Sequence, residues 1–240
     1  FPALAIGEEI HRREPEAKIH YVGSRFGMEA RVFPVKDVWH TLLPIRGFQR
    51  GISFQSIGRN FLLPVRIILS WLKMNSLIKD FAPQVVVGTG GYAAALPLYL
   101  ASIRDKHLPI ILQEQNSIPG ITTRWFAEKA KTICVAFNEA NDAINSETIL
   151  TGNPVRKDIT EGHREDGIKE YNFDEKSKTL FLFGGSQGSA YLNKMMDQVA
   201  SNIAGAGLQI LWQTGDLEYV KYKHRDSSNI RVVPFIHNMA

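Results

Sequence analysis

Short runs dense in β-branched and aromatic residues alternate along the chain with longer stretches of helical period. The runs occupy residues 19–22, 84–87, 110–113, 132–136, 148–150, 179–183, 209–212 and 230–234, and residues 93–103, 121–130 and 190–203 between them carry the helical pattern. Runs of four or five residues bounded by turn signals read as buried strands, and the longer periodic stretches read as helices. Strand and helix in alternation build βαβ units, hence an α/β fold with a mostly parallel sheet covered by helices on both faces. Pro2 is placed as a first-turn residue of an opening helix. Between residues 152 and 178 the pattern dissolves into Gly152-Asn153-Pro154 and a charged stretch from Glu161 to Gly167. This is read as a domain boundary, giving domains 1–152 and 153–240, the second with an unfinished sheet.

Composition excludes more than it identifies. With 44% apolar and 22% charged residues the chain is neither disordered nor fibrous. Its net charge of +4 is too small for a dedicated nucleic-acid protein. That charge is nevertheless concentrated: between Thr41 and Asp80 stand Arg46, Arg50, Arg59, Arg66, Lys73 and Lys79, against Asp80 alone. The single cysteine, Cys134, sits in an apolar run, which excludes a disulfide framework and reads as a buried thiol in a reducing compartment. No run approaches the roughly 20 apolar residues of a membrane span, and no signal-peptide pattern opens the chain. A cytoplasmic protein that does not cross a membrane is expected. The chain opens on Phe1 without an initiator methionine, and residues before it are expected to have been lost.

Two glycine-rich loops carry the chemistry. Strand 84–87 runs into Gly88-Thr89-Gly90-Gly91-Tyr92, and strand 179–183 runs into Gly184-Gly185-Ser186-Gln187-Gly188-Ser189, each ahead of a helical pattern. A strand that delivers the chain to a glycine turn opening a helix leaves backbone N–H groups and the positive helix end facing outward, where phosphate binds. The alternative is a tight turn and nothing more. The first loop also fits the dinucleotide pattern G-x-G-x-x-A through Gly88, Gly90 and Ala93, with Glu114 ending the next strand as a possible ribose ligand. An NAD(P)-dependent oxidoreductase therefore competes. It accounts neither for the second loop nor for the amide-rich Gln113-Glu114-Gln115-Asn116, whose side chains suit sugar hydroxyls and pyrimidine edges. Neither loop continues into Gly-Lys-Ser or Gly-Lys-Thr, which argues against a P-loop triphosphatase.

Six pieces stand in order along the whole chain: Phe1-Pro2-Ala3-Leu4-Ala5, Gly88 to Tyr92, Glu114-Gln115-Asn116, Gly152-Asn153-Pro154-Val155-Arg156, Gly184 to Gly188, and Phe235-Ile236 with Met239. Together they resemble the MurG family of N-acetylglucosaminyltransferases in bacterial peptidoglycan synthesis. The resemblance implies a GT-B fold of two Rossmann-like domains. It implies transfer of N-acetylglucosamine from UDP-GlcNAc to undecaprenyl-pyrophosphoryl-MurNAc-pentapeptide (lipid I), with inversion, to form lipid II. It places Asn116, Arg156, Ser186 and Ile236 at donor-binding positions. Gly90, Gly91 and Tyr92 match the loop that faces the acceptor pyrophosphate, and Gly184, Gly185, Gln187 and Gly188 belong to the second phosphate loop. Gln113 and His237 depart from the family's usual His and acidic residue. UDP-GlcNAc enters as a substrate, and no cofactor is implied. The family's first glycine loop, with the histidine that is the candidate base, would precede Phe1, so the catalytic base is unknown and the chain reads as an internal fragment. A non-catalytic UDP-sugar-binding fragment stays open as a further alternative.

Glycosyl transfer needs an acceptor hydroxyl held in line, a group to take its proton, and stabilisation of the departing diphosphate. No Asp-x-Asp motif is present for a divalent ion, and Asp216-Leu217-Glu218 reads as a helix cap. The seven histidines show no metal-ligand spacing. Ser186 reads also as an N-cap, Asn116 as a turn residue, and Arg156 as a solvated residue at a helix start. Residues 61–72 are mostly apolar, interrupted by Pro64, Arg66 and Ser70, with Arg66, Ser70 and Lys73 on one polar stripe. An ordinary core helix is one reading. Inside the net-positive region, Phe61, Leu62, Arg66, Trp71 and Lys73 read as a patch meeting anionic lipid on the cytoplasmic face of the inner membrane, where a lipid-linked acceptor is reached.

Overall fold

The computed structural model describes residues 2–45, 63–103, 108–185 and 187–236, with the side chains of Asp158 and Thr160 left aside. The chain divides into two compact units, Phe1–Arg156 and Lys157–Ala240.

The first unit begins with helix α1 (Pro2–Arg13), which opens on proline and ends on His11, Arg12 and Arg13 at its negative pole. Strands β1 (Tyr21–Ser24) and β2 (His40–Leu43) pair in parallel and flank the short helix α2 (Glu29–Val35). Helix α3 (Leu63–Phe81) then leads to a second parallel sheet. This sheet has the order β3 (Val86–Gly88), β4 (Ile110–Glu114), β5 (Thr132–Val135), β6 (Ile149–Leu150). Helices α4 (Tyr92–Ser102) and α5 (Ile121–Phe126) cross between its strands. Leu98, Ala101, Ile110, Leu112, Phe126, Ile133 and Val135 form the core against this sheet. Leu43, Met74, Ile78, Leu96 and Leu100 join α3, α4 and β2 in a second cluster.

The second unit starts with the single turn α6 (Lys157–Thr160) and helix α7 (Arg164–Tyr171). The charged stretch read as a domain boundary therefore contains a helix. It carries Glu165 and Asp166 in its first turn and Lys169 in its last, which suits the dipole, and it buries no residue. A three-stranded parallel sheet follows, in the order β7 (Thr179–Phe183), β8 (Gln209–Gln213), β9 (Ile230–Val233), with α8 (Ala190–Gly205) and the turn α9 (Tyr219–Tyr222) as crossovers. Its core is Met196, Ala200, Ile210, Trp212, Tyr222, Ile230 and Val232. Deep within it the Trp212 indole N–H donates to Asn193 Oδ1 at 2.9 Å, and Asn193 Nδ2 donates to Thr214 O at 2.8 Å. A polar pair buried so completely is tolerated because both members are bonded.

One strand was not expected, and two expectations need correction. Strand β2, four residues ending just before Pro44, carries no strand signal of its own and exists through its ladder with β1. Cys134 is free and only half buried. Glu218 precedes α9 without a side-chain cap.

Candidate functional site

In parallel α/β sheets the loops at the carboxyl ends of the strands hold the ligands. In the first unit those loops are tied together by amides. At Gly88, the end of β3, a Cβ would stand 2.9 to 3.1 Å from the side-chain methyl groups of Leu98 and Leu112, so α4 packs closely on the strand. Gly90 and Gly91 follow at φ of 83° and 76°, the left-handed region that glycine enters without strain. Gly91 caps α4 with no side-chain bond, leaving the first-turn N–H groups of that helix uncapped, and Tyr92 is exposed beside them. Thr122 Oγ1 donates to Gly91 O at 3.0 Å, and Gln115 Nε2 donates to Thr89 O at 3.1 Å. The glycine loop is thus fixed from both sides.

The loop after β4 is organised by one carboxylate. Glu114, only 2% exposed, accepts from the Asn116 backbone N–H and side-chain amide (3.1 and 2.9 Å) through one oxygen. Its other oxygen accepts from the Gly120 N–H (3.0 Å) and Thr123 Oγ1 (2.6 Å). Burial pushes its pKa up, but the bonds from Thr123, Gly120 and Asn116 together outweigh that and hold it below the ordinary 4.5. Both oxygens are engaged, so Glu114 is not the ribose ligand that the oxidoreductase reading needed. Gln113, expected to meet sugar hydroxyls, is buried, with Nε2 donating to Glu114 O at 3.3 Å. Asn116 stays exposed, anchored by its amide nitrogen. The Gly152-Asn153-Pro154 segment reaches the same loop through Asn153 Nδ2, which donates to Gln115 O at a long 3.5 Å. Arg156, closing this segment, is 7% exposed, which a solvated residue at a helix start would not be.

In the second unit, the loop after β7 lies against the turn after β8. A Cβ on Gly188 would stand 1.9 Å from Thr214 O, and one on Gly215 would stand 2.1 Å from Gln187 O, both at positive φ. Only glycine permits that approach. The Gln213 amide joins the strand ends: its Nε2 donates to Gly185 O at 2.9 Å, and its Oε1 accepts from the Ile236 N–H at 3.0 Å. Gln213 therefore sets the spacing between the glycine loop and Ile236, whose side chain is buried. Sequence reasoning passed over it; the signal was a buried-strand position ending in Gln-Thr-Gly. Ser186 lies outside the described residues, as do Phe61, Leu62, Arg50, Arg59, His237 and Met239. The N-cap of α8 is Ser189, whose Oγ accepts from Leu192 N at 3.4 Å, so the capping role considered for Ser186 belongs three residues later.

Helix α3 divides the expected polar stripe: Ser70 is buried, Arg66 is half-buried and Lys73 is exposed. Ser70, Met74 and Ile78 face inward, Trp71 meets the Tyr99 ring at 5.8 Å, Lys73 Nζ donates to Leu42 O at 3.1 Å, and Arg66 lies over the Phe26 ring at 5.2 Å. The outward stripe is Val65, Ile68, Leu69 and Leu72, with Ile68 60% and Leu72 61% exposed. No helix among the described residues is long and apolar enough to cross a membrane. Among the same residues no three of His, Cys, Asp and Glu gather as a metal site would need.

The glycosyltransferase family 28 N-terminal domain matches residues 1–135, and the family's C-terminal domain matches residues 179–240. The chain belongs to glycosyltransferase family 28. Among curated relatives of this family 28 chain, proteins of Christiangramia forsetii and Flavobacterium psychrophilum are each 35% identical over all of it. Both are named UDP-N-acetylglucosamine--N-acetylmuramyl-(pentapeptide) pyrophosphoryl-undecaprenol N-acetylglucosamine transferase. The chain spans 64% and 65% of their lengths. Among solved structures, Acinetobacter baumannii MurG aligns with all of the chain and 63% of its own length, at a TM-score of 0.60 and 21% identity. A UDP-GlcNAc 2-epimerase from Methanocaldococcus jannaschii aligns at 0.57 and 10% identity, over 72% of its length. These likenesses agree with the family 28 match on the fold class, two Rossmann-like α/β units of GT-B type.

Proposed function

We propose that the chain serves an inverting N-acetylglucosaminyltransferase that moves GlcNAc from UDP-GlcNAc to lipid I, forming lipid II for peptidoglycan. The observation that carries this reading is 35% identity, over the entire chain, to relatives named for that transfer. The oxidoreductase alternative loses its ribose ligand, because Glu114 spends both oxygens on its own loop.

The chemistry divides between the units. In the first, the uncapped start of α4 and the Gly90-Gly91-Tyr92 loop offer N–H groups and a positive helix end to the acceptor's pyrophosphate. In the second, the Gly184 to Gly188 loop, held by Gln213, offers backbone N–H groups to the diphosphate on which charge grows as the glycosidic bond to UDP breaks. Asn116, Arg156, Ser186 and Ile236 are assigned to the donor, with Arg156 supplying charge-assisted contact. Displacement requires the anomeric carbon and the acceptor hydroxyl in line. The outward apolar stripe of α3 docks the protein peripherally on the anionic cytoplasmic face of the inner membrane, with the basic residues 46–59 adding attraction. No nucleic acid is involved.

Ligand protection tests the reading. UDP-GlcNAc raises the melting temperature of the protein expressed over its whole reading frame, and NAD(H) and NADP(H) leave it unchanged. Protection by a nicotinamide cofactor and none by UDP-GlcNAc refutes it.

A further inference from the structure

Asn193 stands where packing alone would take a leucine. It lies on the inward line of α8 with Met196 and Ala200, is 1% exposed, and sits in the apolar core of the second unit beside Ile210 and Trp212. An amide in such a place costs free energy unless every polar group on it is engaged. This one is engaged in a single possible sense. The Trp212 indole can only donate, so the atom that meets it at 2.9 Å is Oδ1, and Nδ2 must face the other way. There Nδ2 donates to Thr214 O at 2.8 Å. The backbone N–H of Asn193 donates to Ser189 O at 2.9 Å. One residue thus ties the first turn of α8, where the glycine loop ends, to the turn that follows β8.

The Thr214 carbonyl in turn carries the loop. A Cβ on Gly188 would stand 1.9 Å from its oxygen, and a Cβ on Gly215 would stand 2.1 Å from Gln187 O and 2.7 Å from Gly188 N. The Thr214-Gly215 and Gln187-Gly188 segments therefore meet backbone to backbone, with no side chain between them to absorb a shift. The Gly188 N–H donates to Gly185 O at 3.0 Å, which closes the loop on itself, so a displacement at Gly188 passes on to Gly185. We propose that Asn193 is a positioning residue for the Gly184 to Gly188 loop. By holding the Thr214 carbonyl it fixes the surface on which Gln187 and Gly188 rest, and with it the aim of the loop's N–H groups at a nucleoside diphosphate. It touches no ligand and acts through the main chain of Thr214. Backbone donors stabilise charge only while they stay aligned with it, which is what gives a fixed support its value. The proposal rests on the reading of this loop as the donor's diphosphate site, and it adds a core residue to that site.

Calorimetric titration with UDP of the protein, expressed over its whole reading frame, tests this. Asn193→Leu keeps the volume and removes the support, and it weakens UDP binding roughly tenfold, the worth of a misaligned charge-assisted contact. In the transfer assay its KM for UDP-GlcNAc rises while its KM for lipid I is unchanged. Ile210→Val, a core substitution in the same unit away from the turn, lowers the melting temperature and leaves UDP affinity within about twofold. A merely structural Asn193 would behave as Ile210 does. UDP affinity that is unchanged in folded Asn193→Leu, or that falls equally in Ile210→Val, overturns the positioning role while the donor reading stands. If Asn193→Leu fails to fold, Asn193→Ala decides by the same titration. Absence of UDP binding by the unsubstituted protein is a different failure, seen before any substitution: it strikes the donor reading of the loop and this proposal with it.

Discussion

Glu114 shows how a single side chain can settle between two functions. Its position at a strand end following a glycine loop is what a ribose-binding acid would occupy, yet its four bonds all return to residues 116–123. Glu114→Gln replaces one acceptor oxygen with a donor facing donors, and a loss of about 1.5 to 3 kcal/mol in urea unfolding at pH 7 is expected. The sign of the pH effect follows from a carboxyl held below its ordinary value in the folded state. Its stabilisation is present above the unfolded pKa near 4.5 and is lost as pH falls through the folded value. The gap between parent and variant should therefore narrow on acidification below pH 4.5; a gap independent of pH would show that the charge is not what anchors the loop. Arg156 belongs to the same scale. Arg156→Ala is expected to lower kcat/KM for UDP-GlcNAc by roughly tenfold or more, the worth of one charge-assisted contact. Unchanged donor kinetics would leave this buried arginine with a purely structural role.

At the scale of elements, helix α3 makes the sharpest comparison between what the sequence signals and what the fold does. Period 3.6 marks residues 61–72 as an amphipathic helix with Arg66, Ser70 and Lys73 on one polar stripe. Packing divides that stripe: Lys73 stays exposed, while Ser70 is buried because the larger apolar side chains of Met74 and Ile78 lie on its line, one and two turns along, in the cluster with Leu43, Leu96 and Leu100. A buried hydroxyl with no partner is an identifiable cost, so Ser70→Ala is expected to raise stability by about 1 kcal/mol, measurable by chemical unfolding. A destabilised variant would mean that the hydroxyl has a function in packing. Most strands were legible because β-branched runs between glycine turns state their period plainly; 179–183 coincides with β7. β2 was not, because its four residues gain their structure from β1. The glycine loops were legible as turns, but their clamps were not. Gln115, Thr122 and Gln213 act across 26, 31 and 28 residues, a distance that no local motif reports.

For the whole molecule, the proposed transfer at a lipid surface draws on a glycine loop in each unit and on the outward apolar stripe of α3. Ile68→Glu with Leu72→Glu alters exposed positions only, so the fold should hold while co-sedimentation with anionic vesicles falls several-fold. Parent binding should weaken as salt shortens the reach of the charges to ~8 Å at physiological ionic strength. Loss of folding in that variant, or unchanged binding, would remove the stripe from the membrane account. The central claim is the transfer itself. The most direct measurement incubates the protein, expressed over its whole reading frame, with UDP-GlcNAc labelled in its sugar and with lipid I, and follows the label and the anomeric configuration of the product. The account predicts label in a lipid-linked disaccharide of inverted configuration, with UDP released in equal amount; label left on UDP, or a product of retained configuration, would contradict it.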